Sequence, residues 1–269
     1  MKSRIRRLTF ILSVSFAICF RADATTLYVP TEEYPTIEFA MSRAKSGDTV
    51  IVRTGQYSGS FHVNPGVVLV SETLFGAVLS GGGRGTVVTL GTGSTVSGFE
   101  IRDGTIGVFS TSAHASVTRN RIIFNQQSGI LCVGHLPEIA DNIVGFNRGS
   151  GIQGWDVRTT SASINHNTIV HNTNHGISLG GNTDITVENN IISNNEQFGI
   201  KPSESSVKVE LNNNNFFDNS KFSGILPGNN ISFDPGFLDP KNMDFNLKSD
   251  SQLIGLGQKN QRLGARIVY

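Results

Sequence analysis

The chain has 269 residues, of which 16% are charged against about 25% in ordinary globular proteins, and 30 are glycine without the three-residue period of collagen. Recurrent Ile, Val, Leu and Phe with a formal charge of only +1 argue against simple disorder. Polar character falls to amides instead: there are 24 Asn, 18 of them between Asn120 and Asn219.

Lys2, Arg4, Arg6 and Arg7 precede an apolar run from Leu8 to Phe20, and Ala22-Asp23-Ala24 supplies a small-x-small cleavage pattern. Residues 1–24 therefore read as a signal peptide, and the mature chain, starting near Thr25, is expected in the periplasm or the medium. The run is shorter than the roughly 20 residues of a membrane anchor, so no stable membrane insertion is expected after cleavage. Removal of the leader leaves 17 basic and 20 acidic residues, a balance of −3 with no electrostatic reason to seek nucleic acid. Cys19 leaves with the leader, and Ile18 before it is too bulky for a lipoprotein signal. Cys132 then stands alone, which excludes a disulfide framework.

Residues 25–48 read as an N-terminal cap. Pro35-Thr36 followed by Ile37, Ala40, Met41 and Ala44 predicts a short amphipathic helix with Thr36 as N-cap and Glu38 in the first turn. Strands are predicted at Thr49 to Val52, Val67 to Val70 and Val87 to Leu90. A repeat of form N-x-apolar-x-x-N then begins at Asn120, Asn142, Asn167, Asn190 and Asn214, at spacings of 22, 25, 23 and 24 residues. Three residues before each first Asn stands Val117, Ile139, Ile164, Val187 or Leu211, and two after it Ile122, Val144, Ile169, Ile192 or Phe216. Gly-Ile pairs follow at Gly129, Gly151, Gly176 and Gly199, with Gly224-Ile225 displaced by one residue. Val96, Phe99 and Ile101 extend the pattern upstream without the Asn.

The apolar residues alternate in short clusters, the period of half-buried strands. Three such clusters per repeat match one coil of a parallel β-solenoid, whose coils stack about 4.8 Å apart. Asn belongs at the bends, because an amide that donates and accepts can bond both the bend and the identical amide in the next coil. A leucine-rich repeat would place Leu in these columns and a helical return between them, and neither is present. Residues 49–227 thus read as stacked coils and 228–269, with Phe233, Phe237, Leu238, Phe245, Leu247, Leu253 and Ile254, as an irregular C-terminal cap.

Pro35-Thr36-Ile37 through Gly47-Asp48-Thr49 to Gly55-Gln56-Tyr57, the N-x-I-x-x-N…G-I units, and Phe233-Asp234-Pro235-Gly236-Phe237 through Leu247 resemble exported proteins of the pectate-lyase-like superfamily. The resemblance implies an all-β, single-stranded right-handed parallel β-helix with an N-terminal capping helix and an irregular C-terminal cap. The superfamily spans lyases, hydrolases, esterases, epimerases and proteins without known catalysis, so the fold alone does not fix the chemistry.

Asn182-Thr183-Asp184 matches the first short motif of pectin-type hydrolases, but the Asp-Asp, Gly-His-Gly and Arg-x-Lys that should follow are missing. Clustered Asp for a calcium-dependent lyase and an epimerase Asp-Pro-His-Asp box are missing too, so no metal and no cofactor are expected. Along the strands opened by each Gly-Ile pair, Leu131 and Val133, Gln153 and Trp155, Ser178 and Gly180, and Lys201 and Ser203 should face outward. Fold relatives commonly bind substrate along this face. Trp155 is expected as a platform for a sugar ring, with Gln153 and with Arg158 or Lys201 binding the chain, the cations by pairing with uronate carboxylates. Asp156, Arg158, His135 and His175 are the candidate catalytic residues, the His and Asp for proton transfer. Asp156 and Arg158 can equally be a solvated surface pair. His166 and His171 flank the Asn167 bend, and Lys208 reads as ordinary surface. Cys132 shares an inward column with Gly154, Leu179 and Pro202, the place of a small core thiol. The expectation is an exported monomer that binds, and by lyase or hydrolase chemistry cleaves, an acidic or complex polysaccharide. The alternative is a non-catalytic structural or adhesive module of the cell envelope.

Overall fold

The computed structural model describes residues 24–158, 160–203, 206–220 and 228–267. The expected signal peptide, apart from Ala24, lies outside the described residues, as does the Gly224-Ile225 pair. Among the described residues, sheets of nine, eight and seven parallel strands wrap one core. The chain visits the nine-stranded, the eight-stranded and then the seven-stranded sheet before starting the next coil.

Register keeps like residues in columns. Val117 lies beside Ile139, then Ile164, Val187 and Leu211 in the nine-stranded sheet. Ile122, Val144, Ile169, Ile192 and Phe216 do the same in the eight-stranded sheet. Most of these side chains are fully buried, at about 1.5–3 kcal/mol of favourable burial each. The helix Ile37–Arg43 buries Ile37, Ala40 and Met41 against the first coils, and Thr36 Oγ1 accepts the Phe39 N–H at 3.1 Å.

Asn ladders close two of the three corners. Asn142 shows the pattern: its backbone N–H and its Nδ2 both donate to Asn167 Oδ1 at 3.0 Å. The same Nδ2 also donates to the carbonyls of Val117 and Ala140, at 2.8 and 3.0 Å. The first ladder runs Asn120, Asn142, Asn167, Asn190, Asn214 and on to Asn230, two residues into the segment read as the C-terminal cap. The second runs Asn125, Asn147, Asn172, Asn195 and Asn219 at 2.9 to 3.0 Å. Upstream, where Phe99 replaces the Asn, its ring fills the core and its amide donates to Asn120 Oδ1 at 3.1 Å.

Except at Asn230, the residue before each ladder Asn turns the corner in the left-handed conformation. Arg119, Asp141, His166, Asn189 and Asn213, and on the second ladder Phe124, Phe146, His171, Asn194 and Asp218, have φ between 49 and 57°. Each such residue costs about 1–2 kcal/mol, offset by the amide bonds it aims. The Gly column has its own cause: a Cβ on Gly151 would sit 2.8 Å from Gly176 O and 2.9 Å from Asn172 Nδ2. Glycine lets the strand pass over the second ladder.

The C-terminal segment folds back as a strap along the flank of the solenoid. After the hairpin of Phe237–Asp239 and Asp244–Leu247, Leu253 and Leu263 pack with Ile191, and Phe245, Ala265 and Ile267 with Ile143 and Val170. Gly264 N–H donates to Asn189 O at 2.9 Å and Ala265 N–H to Thr168 Oγ1 at 3.0 Å. Arg266 closes the strap on Asp141 through Nε at 2.8 Å and Nη2 at 2.7 Å. The strap thereby ties three successive coils together.

Candidate functional site

The third corner, between the seven- and nine-stranded sheets, has no ladder among the described residues. On the strand Ile152–Val157 Gly154 pairs with Leu179 but Val157 pairs with Gly181, so the coil carries one extra residue there. Trp155 keeps register with Val133 of the preceding coil and faces outward, 53% exposed, and the bulge after it puts Asp156 at φ 48°. Gly134 fastens it from the preceding coil, donating to Trp155 O at 3.0 Å and accepting the Arg158 N–H at 2.8 Å. Gly181 fits beneath it because it has no side chain: a Cβ there would lie 2.3 Å from Val157 N.

Arg158 Nη2 donates to Asp156 Oδ2 at 2.7 Å, and both side chains are largely exposed. One coil on, Asp184 lies 3.9 Å from Lys208 Nζ, with the two residues in register on neighbouring strands. These pairs frame an open groove of about 460 Å³, floored by Gly181, Asn182, Thr183 and Ser206. Ser206 Oγ is held by Gly181 O at 2.7 Å. A second groove of about 590 Å³ shares Asp184 and Lys208 and continues over the nine-stranded sheet past Ser163, Thr186, Glu188 and Glu210. Its walls therefore come from three successive coils.

The structure divides the seven expected site residues among three places. Asp156 and Arg158 meet at the groove, and Trp155 is the residue next to it in the bulge. His135 is exposed in the same corner one coil earlier and does not line the groove. Gln153 lies mid-strand, its Oε1 accepting from Ser128 Oγ at 2.5 Å. His175 lies at the opposite end of these strands, while Lys201 follows Gln153 and Ser178 in the same column, and both contact Phe198. The Phe198 N–H donates to His175 Nδ1 at 3.2 Å, and Lys201 Nζ sits 5.0 Å from the Phe198 ring centre. Neither reaches Asp156, so these residues do not form a single proton-transfer group.

Sequence reasoning placed Asp184 beside this face but passed over Lys208, Ser206, Asn182 and Thr183 as groove residues. A signal existed: Lys208 follows Asp184 by 24 residues, one repeat, which places opposite charges side by side. Among the described residues, no three His, Cys, Asp or Glu side chains group closely enough to hold a metal ion. Cys132 is fully buried in its inward column, and burial pushes its thiol pKa up. The groove offers paired charges, hydroxyls and an amide on an open surface, an arrangement made for hydrogen bonding to a long polar ligand.

The sequence profile described as "Right handed beta helix region" matches residues 85–234, and the chain belongs to this family. Among solved structures, the fold is similar to an alginate lyase from Paenibacillus sp. str. FPU-7, with 17% identity, 72% of this chain and 76% of that one covered and a TM-score of 0.50. It is similar also to the pectate lyase Pel9A, with 12% identity, 92% and 94% coverage and a TM-score of 0.50. At these identities the likeness establishes the fold. No curated protein matches the sequence.

Proposed function

We propose that this chain is an exported protein that binds a polysaccharide along the flank running from Trp155 across the Asp156–Arg158 and Asp184–Lys208 pairs. The observation that carries the reading is the open groove walled by three coils beside an exposed Trp. Three coils span about 10 Å, room for a short stretch of sugar chain lying along the solenoid axis. Sugar rings present an apolar face to an aromatic side chain and hydroxyls to the polar groups around it, which is what this flank offers. The two solved lyases of similar fold act on polysaccharides by their names, which agrees with the reading.

Affinity electrophoresis of the mature chain through gels containing single polysaccharides tests it. At least one glycan should retard the protein, and Trp155→Ala should abolish the retardation with the thermal midpoint unchanged, because this side chain is exposed. Retardation that survives Trp155→Ala moves the site elsewhere. A second reading, an adhesive or structural module without turnover, is favoured by one observation: both groove cations already pair with carboxylates across an open surface. Incubation with the retained glycan separates the two. New unsaturated or reducing ends that vanish in Asp156→Ala or Arg158→Ala assign cleavage to the groove, whereas retention without new ends assigns adhesion.

A further inference from the structure

We infer that the ligand of this groove is a glycan without carboxylates, a neutral hexose or N-acetylhexosamine chain, and not a polyuronate. The inference rests on the polysaccharide reading above and narrows its substrate class. Four carboxylates line the two joined grooves, from Asp156, Asp184, Glu188 and Glu210, against two cations, Arg158 and Lys208. The strip is therefore negative by two charges.

Neither cation is waiting for a ligand anion. Arg158 already gives Nη2 to Asp156 at 2.7 Å, and Lys208 stands 3.9 Å from Asp184. A polyuronate brings one carboxylate with each sugar, so it would have to break these pairs and lie beside Glu188 and Glu210. Like-charge juxtaposition of this kind acts as rejection and screens wrong partners.

The remaining lining groups suit hydroxyls. Ser163, Asn182, Thr186 and Ser206 carry uncharged donors and acceptors, and the carboxylates are acceptors for sugar O–H groups. A neutral chain can engage all of them without displacing an ion pair.

The test is affinity electrophoresis at low and moderate salt, with soluble β-glucan, galactomannan and a water-soluble chitin derivative against polygalacturonate and alginate. A neutral glycan should retard the mature protein about ten-fold more strongly than either polyuronate, with little salt dependence. Glu210→Lys, which turns the strip neutral, should raise polyuronate retardation. Polyuronate binding equal to or tighter than neutral binding in the unaltered protein overturns the inference and leaves the polysaccharide reading standing. No retardation by any glycan, with the fold verified by circular dichroism, overturns both.

Discussion

Asn167→Asp replaces one NH2 group by oxygen in the middle of the first ladder, where the side chain is fully buried. The lost Nδ2 serves Asn190 Oδ1 at 3.1 Å and the carbonyl oxygens of Ile139 and Asn165 at 2.9 Å. Asn190 Oδ1 keeps the Asn167 backbone N–H at 2.8 Å, so two carbonyls lose a donor. At about 1–3 kcal/mol for each stranded acceptor, the cost is about 4 kcal/mol before any charge is counted. The new carboxyl faces oxygens in a dry corner, which holds its folded-state pKa above the unfolded value. A raised carboxyl pKa means that stability is lost as pH rises through it, so the penalty grows from acid toward neutral. For a chain of this size about 2–4 °C accompanies each kcal/mol, giving a thermal midpoint lower by about 8–16 °C at pH 5 and lower still at pH 7. The control is Asn174→Asp, the same chemistry at an exposed position, with an effect within about 0.5 kcal/mol. Differential scanning calorimetry of both variants decides: equal midpoints would refute the buried reciprocal ladder.

Other consequences can be checked on the same protein. Cys132, buried with its thiol pKa raised, should resist a thiol reagent at pH 8 in the native state and react fully in denaturant, and rapid native labelling would contradict its placement. His166 and His171 have pKa values held low, His166 by burial and then by Arg266, His171 by burial. Because the unfolded chain takes up their protons first, stability should fall as pH drops from about 7 to 5, and the double change to Gln should flatten that slope. A midpoint that rises over the same interval would contradict this sign. Arg266→Ala should cost about 1 kcal/mol, discounted because its side chain is 42% exposed, and leave glycan retardation intact; a loss of retardation would tie the strap to the groove. Gly181→Ala should abolish retardation while the protein remains folded, since its Cβ would drive the Asp156 bulge outward, and full retention would separate the bulge from binding.

The coils were legible because their physics repeats. Every bend needs the same amide and every strand the same apolar pair, so Asn120, Asn142, Asn167, Asn190 and Asn214 announce the period without any fold being assumed. Thr36 and Ile37–Arg43 were legible for a local reason, a cap and one apolar stripe. The site was legible only in part: alternation gives the outward positions of Gln153 and Trp155, but not the extra residue of the bulge that carries Asp156. Lys201 keeps the column that alternation gave it, beside Ser178, and its contact with the Phe198 ring is one that no spacing encodes. The strap was the least legible: its clasp joins Arg266 to Asp141 across 125 residues, and nothing near either residue marks the other.

The ladders also dictate how such a chain can change in length. An Asn in mid-ladder is satisfied only when the coils on both sides present their own amides, so losing a few residues from a coil unsettles two ladders at once. Removing one full period, such as 24 residues with both ends at the same column, rejoins each ladder with its neighbours. The strap restricts where that excision can be made. Between Asp141 and Asn189 its bonds measure a fixed number of coils, and one coil fewer would leave Arg266 reaching for the wrong corner. Upstream of Asp141 the described residues carry no strap hydrogen bond, though Phe75 joins the apolar cluster of Ala265 and Ile267. The half bearing the groove is therefore held at constant length by the strap.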